Sequence, residues 1–262
     1  MPPSWPHKRI NGLLEADLHA ELLAWTLKNE SAFTASTINY GEAGGEVRRS
    51  LSAAIAKPIA DRLGAQMTRH LPDIFTALGV PPFEYLVEVE LVAYGHGARF
   101  GRHADVRPNV ADDKGRPRID RRVSAVYYFH RSPKAFSGGQ LRLHPLMGGE
   151  VIDIEPEQNM LVAFPSFVPH EVLPVHCPSG HFADSRFAIN FWVHPMTSVA
   201  KIAAGPSISA AWDPRWLAVP KIRADIGSLA CNDIQAIPVR LTYREDGFCA
   251  RRTHRCVLPM SR

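Results

Sequence analysis

The chain has 262 residues and a mass of 29.0 kDa, with 45% hydrophobic and 21% charged residues. This composition is that of an ordinary globular protein, and it excludes a wholly disordered, collagen-like or coiled-coil chain. The formal net charge of +4 permits nucleic acid as a partner without requiring it, and 22 prolines against 18 glycines favour many short segments joined by turns.

Two helices are predicted near the start of the chain. Residues 11–30 place leucines and a tryptophan at helical spacing, so an amphipathic helix is expected to begin near Asn11. A second helical region spans about residues 51–79, with a break or kink near Pro58 and an end at Gly79. The apolar stripe of the first helix must cover another element of the fold.

From residue 84 onward, the pattern changes to short alternating segments rich in β-branched and aromatic residues. Clusters of Gly, Pro, Asp and Asn separate these segments. The predicted strands are residues 84–94, 121–130, 138–145, 150–156, 159–165 and 185–195. Regular short strands indicate an antiparallel barrel or a double-sheet jelly roll, and the two N-terminal helices would back one sheet. The expected fold class is α+β.

Three regions are expected along the chain. Residues 1–83 would be an N-terminal helical support region, residues 84–197 the β core, and residues 198–262 a basic C-terminal extension. Residues 201–262 carry 10 Lys and Arg against 5 Asp and Glu and show no clean hydrophobic period. The extension is either an irregular appendage or an arm that binds a partner. A nucleic-acid-associated role would require salt-sensitive binding that disappears when the extension is removed.

Apolar runs and cysteine spacing bear on where the protein is located. No apolar run approaches the roughly 20 residues that cross a bilayer, and the first residues lack the apolar stretch of a secretory signal. The sequence contains no CxxC pair; its cysteines are Cys177, Cys231, Cys249 and Cys256. We therefore expect a soluble cytoplasmic protein without a membrane partner, a disulfide framework or a cysteine zinc site.

The segment GRHADV, residues 101–106, carries the first candidate chemistry. His103 and Asp105 are two residues apart, so in an extended segment both side chains point to the same side and can reach one cation. Such a pair alone is more often a hydrogen-bonded surface pair. His170, in FVPHEV, would add a third ligand if it faces back across the barrel. Two histidines and one carboxylate with open positions are the ligand set of non-haem Fe(II) oxygenases.

Arg186 opens the last predicted strand, SRFAINFWV, whose residues are mostly apolar. An arginine that is buried in such a strand needs an anionic partner. A cosubstrate carboxylate held by the planar guanidinium fork would supply one. The alternative is an arginine at the sheet edge that reaches solvent.

Residues 84–195 resemble the Fe(II)- and 2-oxoglutarate-dependent oxygenases, and within them the prolyl-4-hydroxylase-like branch that includes the oxygen-sensing prolyl hydroxylases. The resemblance rests on the order and spacing of several short motifs. These are the HxD, VSAVYYFHRSPKAFSGGQLRLHP (123–145), DIEP (153–156), PHEVLPV (169–175) and SRFAINFWV (185–193). The family has a double-stranded β-helix, which is a cupin-like jelly roll and agrees with the predicted strands.

The resemblance implies a ligand set, residue by residue. His103, Asp105 and His170 would bind Fe(II), and Arg186 would pair with the distal carboxylate of 2-oxoglutarate. The implied cosubstrates are 2-oxoglutarate and O₂, with ascorbate as an accessory reductant. The resemblance implies no catalytic residue beyond the metal ligands.

Two tyrosines match further positions of the family. Tyr128, the second tyrosine of VYYF, matches a residue whose hydroxyl also contacts the distal carboxylate. Tyr94 matches a tyrosine at the mouth of the site, where it could line cosubstrate or substrate. For both residues, the alternative is an aromatic ring that only packs in the core.

The segment HCPSGHFAD makes the loop between PHEVLPV and SRFAINF longer than in the oxygen-sensing relatives. His176 is a rival third ligand, but His170 keeps the PHEV context and is preferred. Cys177 and His181 are interpreted as loop residues. Trp192 stands where alkylated-base repair dioxygenases carry a second arginine, which argues against a nucleic-acid substrate.

The resemblance implies hydroxylation of a C–H bond with release of succinate and CO₂, and it favours a prolyl residue of a protein or peptide as substrate. A free amino acid or another small molecule is the alternative substrate. Two other classes stay open, a cupin-like metal dioxygenase and a non-catalytic binding module, although the former has no use for Arg186. Residues 109–122 have the composition of a substrate-covering loop or of an ordinary solvated connection. The oligomeric state is not indicated.

Overall fold

The computed structural model describes residues 5–38, 42–43, 46–106, 120–196, 216–218 and 240–241. The helices are α1 (Ala16–Lys28) and α2 (Lys57–Leu78), and short 3₁₀ turns lie at Glu30–Ala32 and Phe182–Asp184. The strands are β1 (Lys8–Asn11), β2 (Thr34–Ala35), β3 (Thr37–Ile38), β4 (Glu42–Ala43), β5 (Arg48–Arg49), β6 (Leu51–Ala53), β7 (Tyr85–Tyr94), β8 (Arg99–His103), β9 (Val123–Phe129), β10 (Ser137–Gly138), β11 (Leu141–Leu143), β12 (Ile152–Ile154), β13 (Met160–Pro165), β14 (His170–Val172), β15 (Val175–His176), β16 (Arg186–Pro195), β17 (Trp216–Ala218) and β18 (Arg240–Leu241).

Two main antiparallel sheets face each other in the described part of the chain. The larger sheet has the central order β1-β13-β9-β16-β7, and both β6 and β17 pair with β7. The smaller sheet has the order β12-β11-β14-β8-β5. Apolar side chains of both sheets form one buried cluster between them. This arrangement confirms the predicted double-stranded β-helix.

The strict alternation along the central strands gives the larger sheet two different faces. On β16, Phe187 and Phe191 are fully buried in the cluster that also holds Leu22 of α1 and Met67 of α2. The intervening residues of β16 point the other way, toward the smaller sheet. The helices therefore back the larger sheet as predicted, and its second face is left for the functional site.

The first helix begins later than predicted. Residues 8–11 form β1 on the edge of β13, and α1 begins at Ala16 rather than near Asn11. Gly12 turns the chain with a φ of 67°, and its N–H donates to the Asn159 carbonyl at 2.7 Å. The Asn159 side chain also accepts from the Leu14 N–H at 3.0 Å. The chain before Gly12 therefore pairs with the edge of β13, which is far away in sequence, and the helix begins only after this turn.

The second helical region divides into β6 and α2. Residues 51–53 pair with β7, and Pro58 lies in the first turn of α2, where its missing N–H breaks no helix hydrogen bond. Pro58 therefore begins this helix instead of kinking it. Gly79 ends α2 with a φ of 64°, as predicted.

All six predicted strands are present, with shorter ends. β8 and β14 were not predicted as strands because both are short and contain charged or glycine residues. β1, β5 and β6 show that residues 1–83 contribute strands as well as helices. Most of the segment 109–122 and of the extension 198–262 lies outside the described residues. Among the described residues, no helix is both long and apolar enough to cross a membrane.

Candidate functional site

The pairing of β8 with β14 brings the predicted triad together. His103 and His170 lie directly opposite each other in the two strands, and their ring centroids are 4.2 Å apart. Asp105 follows β8, and its two carboxylate oxygens lie 3.7 Å from His103 Nε2 and 3.6 Å from His170 Nε2. One ligand atom from each residue lies within 4.8 Å of the others. This cluster has the spacing that a single metal ion requires.

Backbone carbonyls orient both imidazoles. Nδ1 of His103 lies 2.8 Å from the Gly101 carbonyl, and Nδ1 of His170 lies 2.9 Å from the Val168 carbonyl. A carbonyl oxygen can only accept, so Nδ1 carries a proton in each ring, and in the neutral form of such a ring the lone pair is on Nε2. Both Nε2 atoms are therefore presented as metal ligands.

Two serines position Asp105, one at its carboxylate and one at its backbone. Ser124 in β9 donates its hydroxyl to Asp105 Oδ2 at 2.5 Å, and the Ser124 and Ser166 hydroxyl oxygens are 2.9 Å apart. The backbone N–H of Asp105 also donates to the Ser166 carbonyl at 3.0 Å. The larger sheet thus fixes a ligand that follows a strand of the smaller sheet.

The charge state of the triad suits a divalent cation. Burial, together with the neighbouring His170, lowers the pKa of His103 to about 3. Burial alone would raise the pKa of Asp105, but the imidazoles of His170 and His103 outweigh it, and the pKa falls to about 2. A neutral imidazole and an ionised carboxylate are the protonation states in which these groups bind metal.

Arg186 lies on the inner face of the larger sheet, beside the two tyrosines. It is 1% exposed, and among the described residues its Nε and Nη1 find no hydrogen-bond partner. The guanidinium carbon is 4.8 Å from the ring centroid of Tyr94 and 4.8 Å from that of Tyr128. Tyr94 lies directly opposite Arg186 in the β7–β16 pair. The arginine therefore does not reach solvent, and an unpaired buried cation of this kind favours an anionic ligand.

The hydroxyl of Tyr128 shares this pocket. It is buried without a hydrogen-bond partner among the described residues. Burial raises the pKa of Tyr128 to about 12, although the nearby positive charge of Arg186 opposes the rise. The neutral hydroxyl and the guanidinium are therefore placed so that both could donate to one anionic ligand.

The metal cluster and the arginine pocket lie along one face of β9. Ser124, Val126 and Tyr128 are every second residue of the strand, so they share one face, which lies toward the smaller sheet. Ser124 contacts Asp105, and Tyr128 contacts Arg186. Four residues of strand separate their Cα atoms by about 13 Å. This spacing leaves room for a short dicarboxylate that reaches the metal at one end and the guanidinium at the other.

The inserted segment does not supply the third ligand. His176 lies in β15 with its ring 5.2 Å from that of His96, outside the triad formed with His170. Cys177 is a buried free thiol whose Sγ lies 3.6 Å from the Asp184 carbonyl. His181 precedes a 3₁₀ turn, as expected of a loop residue.

Several residues around the site were missed by sequence reasoning. Asp184 pairs with Arg131 and accepts a hydrogen bond from Ser179 at 2.7 Å, which fixes the inserted segment just before Arg186. Arg48 and Phe100 lie near His103, as described below. The ion-pair partners of Asp184 and Arg48 are far away in sequence, and no local spacing marks these two residues. The alternation along β16 is the one local signal, and it places Trp192 on the same face as Arg186.

Comparison with known proteins identifies relatives of this chain. Residues 89–194 match the 2OG-Fe(II) oxygenase superfamily. An uncharacterised PKHD-type hydroxylase of Synechocystis is 34% identical over 137 residues, which are 49% of this chain and 43% of the relative. A hypoxia-inducible factor prolyl hydroxylase of Caenorhabditis elegans is 35% identical over 101 residues, 37% of this chain and 12% of that protein. The matches span less than half the length of either curated relative.

Solved structures share the fold. A prolyl-4-hydroxylase of Pseudomonas putida has a TM-score of 0.54 and 26% identity, covering 73% of this chain and 94% of that chain. A prolyl hydroxylase of Trichoplax adhaerens, solved with a peptide fragment of hypoxia inducible factor, has a TM-score of 0.56 and 21% identity, with coverages of 76% and 87%. The jelly roll expected from the motifs is confirmed. Residues 89–194 match the family that the motifs resemble, and that family implies Fe(II), 2-oxoglutarate and O₂ as its cofactor and cosubstrates.

Proposed function

We propose that this chain, whose residues 89–194 form a 2OG-Fe(II) oxygenase domain of the prolyl-4-hydroxylase-like branch, hydroxylates a prolyl residue of a protein or peptide. The observation that carries the proposal is the orphaned, buried Arg186 on the same inner face as the residues that hold the metal ligands. The relatives that are named prolyl hydroxylases support the choice of substrate. The matched segment lies within the proposed core, residues 84–197.

The residues present fit the two groups that the family implies. His103, Asp105 and His170 would hold Fe(II), and Arg186 with Tyr128 would hold the distal carboxylate of 2-oxoglutarate. When bound, the metal and the cosubstrate supply the activation of O₂ that oxidises a C–H bond, with release of succinate and CO₂.

The protein's own contribution is orientation and exclusion of water. Ser124 fixes the carboxylate of Asp105, and the carbonyls of Gly101 and Val168 aim the imidazoles. Tyr94 packs against the Arg186 guanidinium and lines the cosubstrate pocket in this proposal. The apolar cluster between the sheets keeps the pocket dry, which strengthens the charge interactions there.

A free amino acid or another small molecule is the alternative substrate within the same mechanism. A cupin-like dioxygenase that does not use 2-oxoglutarate, or a binding module without catalysis, would leave a buried guanidinium unpaired for no benefit. Ascorbate as accessory reductant and a cytoplasmic location belong to the proposal as well.

The first test is an anaerobic titration of the apoprotein with Fe(II) and 2-oxoglutarate, followed by the visible charge-transfer band of the chelate. We expect the band to appear, and succinate release in air to increase with prolyl peptides. Release that increases with free proline but with no peptide would support the alternative substrate. Fe(II) binding without the band would contradict the use of 2-oxoglutarate.

Tyr128→Phe is expected to weaken 2-oxoglutarate binding without affecting the metal. The substitution removes one buried hydroxyl donor to the carboxylate, and a hydrogen bond to a charged group contributes roughly 1.5 kcal/mol, or about 10-fold in affinity. The charge-transfer titration measures the Kd for 2-oxoglutarate, and Fe(II) alone serves as the control ligand. An unchanged Kd would indicate that Tyr128 only packs in the core.

Gly139→Ala is expected to displace Arg186 and to weaken 2-oxoglutarate binding by about 10-fold. A Cβ at position 139 would lie 2.7 Å from Arg186 Cδ and 2.8 Å from Val175 Cγ2. Gly148→Ala is the matched control, since Gly148 also has a positive φ of 44° but open space around its Cβ position. Equal effects of both substitutions on the Kd for 2-oxoglutarate would contradict the close-approach argument.

A further inference from the structure

We infer that Arg48 is a positioning residue of the metal centre. It holds the ring of His103 in place through Phe100, and through Glu90 it connects the smaller sheet, which carries the two histidines, to the inner face of the larger sheet. The inference rests on the proposed function, because it concerns the same site. It assigns a role to three residues that the sequence motifs do not include. Each link is a contact between described side chains.

The first link is a stack of planar groups that ends at a metal ligand. Arg48 in β5 lies directly opposite Phe100 in β8, and its guanidinium carbon is 5.0 Å from the Phe100 ring centroid. The Phe100 ring in turn stacks on His103, with centroids 3.7 Å apart and planes inclined by 18°. The hydrogen bond from Nδ1 to the Gly101 carbonyl still allows the imidazole to rotate about the direction of that bond. Stacking on Phe100 restrains this rotation of the ring plane. Metal binding tolerates only small angular errors in its ligands.

The second link is the rigidity of Arg48 itself. The side chain is buried, and all three guanidinium nitrogens have partners: Nε donates to Ser50 Oγ at 3.1 Å, Nη1 to the Thr37 carbonyl at 3.1 Å, and Nη2 to Glu90 Oε2 at 2.9 Å. Five donors in a fixed plane allow this set of bonds, whereas a lysine offers one point charge at the end of a flexible stem.

The third link crosses from the smaller to the larger sheet. Glu90 in β7 accepts from Arg48 and also from Asn190 Nδ2 at 3.1 Å. Asn190 in β16 lies directly opposite Val126, which is midway between Ser124 and Tyr128 on β9. This amide therefore lies on the inner face between the metal end and the arginine end, where the proposed cosubstrate would pass. Arg48 thus connects the orientation of one metal ligand with the middle of that face.

The test measures metal binding without turnover. Co(II) replaces Fe(II) as a spectroscopic probe, and its Kd and visible ligand-field spectrum are recorded for the full chain without 2-oxoglutarate. We expect Arg48→Lys and Phe100→Leu each to raise the Kd by roughly 10-fold and to change the ligand-field band, as loss of a group that orients a ligand typically does. The double variant should raise the Kd by less than the product of the two effects, because both act through one path.

Two matched variants separate positioning from general destabilisation. Phe100→Tyr keeps the stacked ring and should restore the wild-type spectrum. Arg142→Lys changes an arginine of the same sheet that pairs with Asp153 at 2.7 Å on the outer side, and it should leave the Kd unchanged. If Arg48→Lys does not fold, the comparison of Phe100→Leu with Phe100→Tyr decides the first link.

The outcomes are distinguishable. Wild-type Co(II) affinity and spectrum in Arg48→Lys or Phe100→Leu would overturn the inference and leave the metal site intact. A changed spectrum in Phe100→Tyr equal to that of Phe100→Leu would overturn the stacking argument. Absence of metal binding by the wild-type chain would overturn the proposed function together with the inference.

Discussion

Arg186→Ala is expected to weaken 2-oxoglutarate binding strongly and to leave metal binding unchanged. We expect the Kd for 2-oxoglutarate to rise by roughly 100-fold, since loss of one partner of a buried charge pair costs about 3 kcal/mol. Arg186 is 1% exposed, and its Nε and Nη1 have no hydrogen-bond partner among the described residues, so the anion would be their partner. The anaerobic charge-transfer titration measures the effect, and Fe(II) affinity without 2-oxoglutarate should stay at the wild-type value.

The thermal stability of the apoprotein provides a second measurement on Arg186, in which its replacement should not be harmful. An unpaired buried cation destabilises a fold, so Arg186→Met is expected to melt at the same or a higher temperature than the wild-type apoprotein. The wild type should gain stability when 2-oxoglutarate and metal are added, and the variant should not. Arg142→Met, on the outer side of the smaller sheet, is the control. Normal 2-oxoglutarate binding by Arg186→Met would contradict the assignment.

The position of Arg186 shows what the sequence could predict. Strict alternation along SRFAINFWV separates an apolar face from a face with Arg186 and Trp192, and the sheet has this arrangement. The same period on β9 puts Tyr128 on one face with Ser124 and Val126, the face that lies toward the smaller sheet. Strand period is a local property, so residue spacing alone determines which side chains share a face.

The triad shows where residue spacing stops being sufficient. The i, i+2 spacing predicted that His103 and Asp105 share one side, but the approach of His170 depends on the register of β14 against β8. That register joins residues more than sixty positions apart, and β14 has only three residues. The resemblance to a family supplied what the pattern of the strand could not.

Arg48 and Phe100 could not be found from the sequence. β5 consists of two residues, and neither its composition nor its spacing indicates a strand. Arg48 contacts Glu90 across 42 residues of chain, so their pairing depends on the complete fold. β1 was not predicted for the same reason, because it pairs with an edge of β13 that forms only in the assembled sheet.

Asp105→Ala is expected to remove metal binding. The carboxylate is the one anionic ligand of the triad, and only two imidazoles remain without it. We expect the Kd for Fe(II) to rise by more than 100-fold, which exceeds the 10- to 100-fold effect usual for groups that only orient a ligand. Anaerobic equilibrium dialysis measures the Kd directly.

Ser124→Ala distinguishes a ligand from its support. Ser124 donates to Asp105 Oδ2 at 2.5 Å, so its loss should loosen the carboxylate and raise the Kd for Fe(II) by roughly 10-fold. Asp105→Asn keeps the shape of the side chain and removes its charge, and it should behave like Asp105→Ala if charge is what binds the metal. Near-normal Fe(II) affinity in Asp105→Asn together with a large loss of affinity in Ser124→Ala would contradict the assignment of Asp105 as the ligand and Ser124 as its support. The order of the three effects therefore tests whether Asp105 itself, and not the serine network around it, is the metal ligand.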